Sequence, residues 1–73
     1  MTITQIATAK DFGAVVFAER TRQRLTQRQL ALAAGTGERF IVELENGKET
    51  ARLGTALWVL ATLGLRLSAA DES

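Results

Sequence analysis

The stretch that decides the fold is residues 26–47, TQRQLALAAGTGERFIVELENG. Thr26 is a favoured helix N-cap, because its hydroxyl oxygen can accept a hydrogen bond from a backbone amide of the first turn. The residues that follow Thr26 predict a helix whose buried face consists of Leu30, Ala31 and Ala34. The segment Gly35-Thr-Gly37 should end this helix, since glycine is common just after a helix.

A second helix is predicted from Glu38 to about Asn46. Phe40, Ile41 and Leu44 recur at helical spacing, and Asn46-Gly47 is a typical stop signal. The two helices are thus joined by a tight turn that contains glycine, which is the layout of a helix-turn-helix. In a helix-turn-helix that binds DNA, the second helix enters the major groove, but similar corners are common in small helical bundles. The layout by itself leaves both alternatives open.

Two further helices flank this pair. The first is predicted near residues 9–24, because Thr8 and Asp11 have the spacing of a capping box and apolar residues then recur at helical intervals. The last is predicted from Arg52 to Leu63 and is ended by Gly64. Its inward side is expected to consist of Leu53, Ala56, Leu57, Leu60 and Leu63.

The spacing of apolar residues changes after the last helix, from a helical period to an alternation of two. Leu65, Leu67 and Ala69 alternate with Arg66, Ser68 and Ala70, which predicts a short strand over residues 65–70 with one buried face. A lone strand must find a partner, either the segment at residues 2–6 or the same strand of a second protomer.

Composition excludes most kinds of enzyme. The chain has 73 residues, of which 47% are hydrophobic and 23% charged, and it has no Cys or His. This profile predicts one domain over residues 1–73, with a helical core at 8–64 and a tail at 65–70. Without thiols and imidazoles, the chain lacks the common zinc ligands and the usual general base at neutral pH. We expect no enzymatic activity, no metal and no cofactor.

Charge is unevenly distributed along the chain. The net charge is +1, yet residues 1–34 carry five cations and only two anions. A local basic face is therefore expected. The longest uncharged stretch, Leu53 to Leu65, is too short to span a bilayer, and the first residues do not resemble a signal peptide. We expect a cytoplasmic protein without a membrane partner.

Several short motifs together resemble the Cro/C1-type (XRE, lambda-repressor-like) DNA-binding family. They are Leu25-Thr-Gln27, Leu30-Ala31, Ala34-Gly35, Ile41 and Leu44-Glu-Asn-Gly-Lys48. The resemblance covers roughly residues 12–64. It implies an all-α, compact helix-turn-helix bundle of four to five helices.

The resemblance also implies which residues touch DNA. They are Thr26, Gln27, Gly37, Glu38, Arg39, Val42, Glu43, Asn46 and Lys48. Gln27 would contact a phosphate at a helix N-terminus, and Lys48 would hold the sugar-phosphate strand. Arg39 can bind guanine, Glu38 or Glu43 can accept from cytosine, and Val42 can rest on a thymine methyl group. The alternatives are that Thr26 is only a cap and that the second helix carries an ordinary solvated face.

A pair of opposite charges matches the family pattern as well. The resemblance implies an ion pair between Arg20 and Glu45, which would fix the angle of the recognition helix. Two ordinary surface charges are the alternative. The chain departs from the family at Arg24, where glycine is usual, and at Gly37, where Ser or Thr is usual. Arg24 therefore predicts either a left-handed residue or a different turn geometry.

The tail resembles that of HipB-like antitoxins, which are small repressors that dimerise and bind a HipA-type kinase toxin. In this chain Leu65-Arg-Leu-Ser-Ala stands where many relatives have a fifth helix. Outside the inward stripes lie the bulky residues Val15, Phe17, Leu32 and Trp58, and clustered apolar residues of this kind mark interaction sites. The expected dimer or partner interface consists of Trp58, Leu65, Leu67 and Ala69. The alternative for Trp58 is that it packs under the tail.

These observations predict a homodimeric repressor that binds a palindromic operator of double-stranded DNA. More specifically, the resemblance implies the antitoxin of a HipBA-type toxin-antitoxin system, which autoregulates its operon and binds a HipA-type kinase toxin. Two alternatives remain open at this point. One is a stand-alone Cro/C1-type repressor without a toxin partner, and the other is a protein-interaction module that no longer binds DNA.

Overall fold

The computed structural model describes residues 3–71 and contains four α-helices in that part of the chain. They are α1 (Ala9–Arg22), α2 (Gln27–Ala34), α3 (Glu38–Glu45) and α4 (Leu53–Thr62). All four lie close to the positions predicted from the sequence. The predicted all-α helix-turn-helix bundle is confirmed, with four helices in the described residues.

Local capping residues determine where α1 and α2 begin. The Asp11 amide donates to Thr8 Oγ1 at 3.0 Å, and the Thr8 amide donates to Asp11 Oδ2 at 3.2 Å, which confirms the predicted capping box. Thr26 and Gln29 form the same reciprocal pair at the start of α2, at 3.0 and 2.8 Å. In each helix the capping box therefore satisfies the amides of the N-cap residue and of the third helical residue.

The connection between α1 and α2 depends on one left-handed residue. Arg24 has a φ of 60°, and no other residue besides glycine has a positive φ in residues 3–71. The amide of Leu25 then donates to the carbonyl oxygen of Arg20 at 3.0 Å. Of the two alternatives predicted at Arg24, the left-handed conformation is the one present, and an L side chain there costs conformational energy that glycine would avoid.

The hydrophobic core lies where α2 packs between α3 and α4, with α1 covering α3. Four side chains are fully buried and form its centre: Val16, Leu30, Ile41 and Val59. The prediction for the buried face of α4 is wrong in part, because Leu53 is 66% exposed and Leu57 is 38% exposed. Seven of the ten residues of α4 are apolar and none is charged, so its periodicity does not select one inward face.

The predicted C-terminal strand is wrong for the described part of the chain. Residues 3–71 contain no β-strand, and the tail after α4 follows an irregular path. The amide of Leu65 donates to the carbonyl oxygen of Leu60 at 2.9 Å, which closes the end of α4. Beyond it Leu67 and Ala69 are exposed. A strand is stabilised by ladder hydrogen bonds from a neighbour, and residues 3–7 do not supply one. Residue 2 of the predicted partner segment lies outside the described residues.

Candidate nucleic-acid interface

The turn between α2 and α3 is built on glycine. Gly35 has a φ of 70° and adopts the left-handed conformation that ends α2. The Thr36 amide then donates to the carbonyl oxygen of Ala31 at 3.0 Å, which satisfies one of the last carbonyls of the helix. Gly37 is the N-cap of α3 and supplies no side-chain hydrogen bond. The first amides of α3 are therefore not capped by a side chain.

One side of α3 is buried and the other faces solvent. Ile41 is fully buried, and Leu44 is also in the core. In contrast, the Arg39 side chain is 90% exposed, and Glu38 is exposed beside it. Val42 is half-buried at the edge of this face. The leading charged side chains of α3 thus lie on the surface, where a ligand can reach them.

The far end of α3 is anchored to α1 by a shielded ion pair. Arg20 Nε donates to Glu45 Oε2 at 2.6 Å, and Arg20 Nη2 donates to Glu45 Oε1 at 3.0 Å. Arg20 Nη1 also donates to the carbonyl oxygen of Leu25 at 2.8 Å. The two charged side chains are only 10% and 5% exposed. Because the contact is bidentate and sheltered from water, it holds α3 at one angle to α1.

The backbones of α1 and α3 also approach each other directly at Gly13. A Cβ atom added to Gly13 would lie 2.2 Å from the carbonyl oxygen of Leu44 and 2.9 Å from that of Glu45. Only glycine leaves room for this approach. Gly13 is a positioning residue that helical periodicity does not reveal, and its only signal in the sequence is an isolated glycine inside a predicted helix.

The N-terminus of α2 brings Thr26 and Gln27 close to the end of α3. Thr26 Oγ1 accepts a hydrogen bond from the helix amide, and its hydroxyl proton remains available to an anion. Gln27 Nε2 donates to Glu45 Oε1 at 3.1 Å, so its side chain is held against the ion pair. Unpaired amides at a helix N-terminus attract phosphate. This end of α2 therefore offers donors beside the anchored end of α3.

A cluster of three charged residues lies along α3 and the loop after it. Lys48 Nζ lies 3.1 Å from Glu43 Oε1, and Arg39 Nε lies 3.5 Å from Glu43 Oε2. Hydrogen bonding and charge from Lys48, with a smaller contribution from Arg39, lower the pKa of Glu43 below its ordinary value. Asn46 is the C-cap of α3, and Gly47 follows it with a φ of 81°. This turn brings Lys48 back towards α3. We call Arg39, Glu43 and Lys48 the α3 charge cluster.

Arg52 is a further cation near this cluster that the sequence motifs did not single out. It is the N-cap residue of α4 and lines a cavity of about 250 Å³ between α3 and the start of α4. Glu43 and Lys48 line the same cavity. The fold thus brings Arg52 and Lys48 to one place beside α3, although the sequence motifs singled out only Lys48.

Trp58 lies where α4 meets the end of α2. Its Nε1 donates to the carbonyl oxygen of Ala34 at 2.9 Å, while 59% of the residue remains exposed. Leu65 packs partly against the core, whereas Leu67 is 45% exposed and Ala69 is exposed. The exposure of Trp58 argues against the alternative in which the tail covers it.

The described residues hold neither a cluster of metal ligands nor a helix that could cross a membrane. Within residues 3–71, no three His, Cys, Asp or Glu side chains come together in a way that could bind a metal ion. None of the helices in the same range combines the length and apolar character required to span a bilayer.

Two short helices joined by a glycine turn, with the second one exposed at its start and anchored at its end, define a helix-turn-helix protein. The chain is 53% identical over 60 residues to a protein of Sinorhizobium fredii (strain NBRC 101917 / NGR234), "Uncharacterized HTH-type transcriptional regulator y4mF". The match covers 82% of this chain and 79% of that protein. The chain therefore belongs to the HTH-type transcriptional regulators. This relationship confirms the predicted family and makes the chain a regulator, not an enzyme. No family model matches the sequence.

Solved structures share the fold over most of the chain. A HipB-O4 20mer complex matches with a TM-score of 0.87 at 22% identity, covering 97% of this chain and 100% of that one. A HipA-HipB-O2-O3 complex matches with the same TM-score, identity and coverage. A toxin-antitoxin module from Streptococcus pneumoniae matches with a TM-score of 0.68 at 28% identity, covering 86% of this chain and 74% of that one. At their level of identity, the HipB structures show a common fold.

Proposed function

We propose that this chain is a sequence-specific DNA-binding repressor. The observation that carries the proposal is the position of α3, whose first side chains are exposed while its last residue is held by the buried pair of Arg20 and Glu45. A rigid helix with an open leading face is suited to reading base edges in the major groove. Arg39 would bind guanine O6 and N7, and Val42 would contact a thymine methyl group. Glu38 or Glu43 would accept from a cytosine amino group.

Phosphate contacts would place the recognition helix on the duplex. Thr26 and Gln27 would bind one phosphate through the N-terminus of α2, where a partial positive charge favours anions. Lys48 would bind the strand beyond α3, together with Gly37 and Asn46. The amides of Gly47 and Lys48 already donate to the carbonyl oxygens of Leu44 and Glu43. The phosphate contacts fix register and orientation without reading sequence.

We propose that the repressor acts as a homodimer. One protomer offers few phosphate contacts, whereas two protomers can present recognition helices about 34 Å apart to a palindromic operator. The exposed apolar residues support this proposal, because α4 and the tail after it leave Trp58 and Leu67 in solvent. The proposed interface consists of Trp58, Leu65, Leu67 and Ala69.

The more specific proposal is an antitoxin of a HipBA-type system that represses its own operon and binds a HipA-type kinase toxin. The support is the shared fold with HipB in a HipA-HipB-O2-O3 complex and with a toxin-antitoxin module from Streptococcus pneumoniae. The competing functions are a stand-alone repressor and an interaction module that no longer binds DNA.

Binding to the DNA upstream of its own gene tests the repressor proposal. Fluorescence anisotropy with that duplex and with a scrambled one, over a series of salt concentrations, should show tighter binding to the upstream duplex. Its log affinity should fall linearly with log salt by about 0.9 per phosphate contact. Salt-independent or undetectable binding would leave only the interaction module. Co-purification of a kinase from the native host, identified by mass spectrometry, would then separate an antitoxin from a stand-alone repressor.

A further inference from the structure

Glu43 occupies an unusual place for a carboxylate on a DNA-reading helix. Its two oxygens engage two different cations: Oε1 lies 3.1 Å from Lys48 Nζ, and Oε2 lies 3.5 Å from Arg39 Nε. Lys48 also forms a second hydrogen bond to the same residue, in which its backbone amide donates to the Glu43 carbonyl oxygen at 3.1 Å. The two cations best placed to meet DNA are therefore already paired within the protein.

We propose that Glu43 competes with DNA phosphate for Lys48, and that this competition suppresses binding to random DNA and sharpens sequence discrimination. The inference rests on the proposed repressor function and deepens it. To bind a phosphate, Lys48 must leave Glu43. The carboxylate then faces the groove without a partner and close to negative charge, which opposes binding.

A matching base pair removes this penalty. Cytosine N4 and adenine N6 present amino donors in the major groove, and a carboxylate that has lost Lys48 can accept from them. Where the base edge presents only acceptors, such as guanine O6 and N7 or thymine O4, the carboxylate is repelled instead. The exchange of partners is thus favourable at some sequences and unfavourable at others.

Glu38 provides a matched comparison on the same helix. It carries the same charge at the start of α3, it is exposed, and it has no ion pair within residues 3–71. Removing its charge relieves general repulsion from DNA but releases no cation. The difference between the affinity gains of Glu43→Gln and Glu38→Gln therefore measures the competition for Lys48, and not the general effect of a negative charge near DNA.

The test is a double-mutant cycle read by DNA binding. Glu43→Gln and Glu38→Gln are made in the wild-type chain and in a Lys48→Met background, and Kd is measured at low salt for a duplex of random sequence. Because exposed ion pairs are weak, Glu43→Gln should tighten random binding by about two- to fivefold in the wild-type chain. In the Lys48→Met background, the affinity gained from Glu43→Gln should fall to the affinity gained from Glu38→Gln. The gain from Glu38→Gln itself should be the same in both backgrounds. An equal gain from Glu43→Gln in both backgrounds means simple charge repulsion and overturns the proposal.

A second duplex measures discrimination. It is recovered by selection with the wild-type protein from a randomised library. Glu43→Gln should bind this duplex no more tightly than wild type does, so that the ratio of selected to random affinity falls. An unchanged ratio contradicts the proposal. If the wild-type protein binds and selects DNA but the cycle shows no coupling, the repressor function stands and only the proposed role of Glu43 is lost. If the wild-type protein binds no duplex, both proposals fail.

A measurement without DNA checks the ion pair itself. In NMR titrations the pKa of Glu43 should lie below its ordinary value of 4.5 in the wild-type chain and rise towards it in Lys48→Met. An identical Glu43 pKa in the two proteins would show that the ion pair of Glu43 and Lys48 is absent in solution. The proposed competition would then be absent as well. Circular dichroism of each variant establishes that the fold is retained.

Discussion

Gln27 and Glu45 are joined by a hydrogen bond, in which Gln27 Nε2 donates to Glu45 Oε1 at 3.1 Å. The same oxygen accepts from Arg20 Nη2 at 3.0 Å. One carboxylate thus links three elements: α1, the N-terminus of α2 and the end of α3. The residue proposed to bind phosphate is therefore connected directly to the ion pair that anchors the end of α3.

Removal of the Glu45 carboxylate should strongly destabilise the protein. Glu45→Ala leaves the Arg20 guanidinium buried without its partner, and we expect the free energy of unfolding to fall by about 3–5 kcal/mol in urea denaturation. Arg22→Ala is the control, because its pair with Glu19 is exposed on the Arg22 side and should contribute far less to stability than the buried pair. Glu45→Gln, which retains hydrogen-bonding capacity, should lie between them. A fully stable Glu45→Ala protein would show that Arg20 and Glu45 act as ordinary surface charges.

Two glycine-to-alanine substitutions should have opposite effects. Glycine within a helix is usually less stable than alanine by about 0.5–1 kcal/mol, so Gly54→Ala in α4, where a Cβ meets nothing within 4 Å, should stabilise by about that amount. In Gly13→Ala the new Cβ would collide with the carbonyl oxygen of Leu44. The helices would have to separate, at a cost of at least about 2 kcal/mol. Thermal unfolding of both variants checks this, and a stabilised Gly13→Ala protein would disprove the close approach of α1 and α3.

Arg39→Ala should weaken operator binding while leaving random DNA almost unaffected. The loss should be about 1–3 kcal/mol if the guanidinium binds a guanine edge. Lys48→Ala should instead weaken both duplexes and reduce the slope of log affinity against log salt by about 0.9. Arg66→Ala in the tail removes the same charge far along the chain from α3 and is the control. Equal losses on both duplexes for Arg39→Ala would exclude a base-reading role.

Stability should fall in acid through Glu19. Its carboxylate accepts from Arg22 and from Gln23 Nε2, the latter at 2.8 Å, and these hydrogen bonds lower the pKa of Glu19 from 4.5 to about 2. Because the pKa is lower in the folded state, this stabilisation is fully present above pH 4.5 and is lost as the pH falls towards 2. Glu19→Gln should therefore reduce the dependence of Tm on pH within that window. Glu49→Gln, an exposed carboxylate outside these contacts, is the control, and the same slope in wild type and Glu19→Gln would refute the assignment.

Trp58 should contribute to the dimer through its ring and to the fold through its indole N–H. Trp58→Ala removes both, and sedimentation should show a shift towards monomer. Trp58→Phe keeps an aromatic face but loses the hydrogen bond to Ala34, so it should remain dimeric with a lower Tm. If Trp58→Ala sediments as an unchanged dimer, the ring serves only the packing of α4 on α2.

The helix bounds were predictable because their signals are local. Thr8 with Asp11, Thr26, and the glycines at 35 and 64 act within one turn of the chain, so each can be recognised without knowledge of the fold. The tail shows the opposite case. Its alternation of Leu65, Leu67 and Ala69 is a valid strand pattern, but a strand also needs a neighbour, and a pattern within one segment contains no information about that neighbour.

The sequence named candidate DNA contacts but contained no information about the contacts among them. The resemblance implied that Gln27, Glu43 and Lys48 contact DNA, and this stays a prediction. It did not indicate that Gln27 is bonded to Glu45 or that Glu43 holds Lys48, since these contacts depend on how α2, α3 and the following loop are placed against each other.

The order and extent of the four helices were thus determined by the amino-acid sequence itself, because caps, stops and helical spacing act over a few neighbouring residues. Only the tertiary structure decided which face of the uncharged α4 is buried, that Gly13 must be glycine, and which cations are paired with Glu43. Each of these depends on groups that are distant in the chain and meet only when the helices pack.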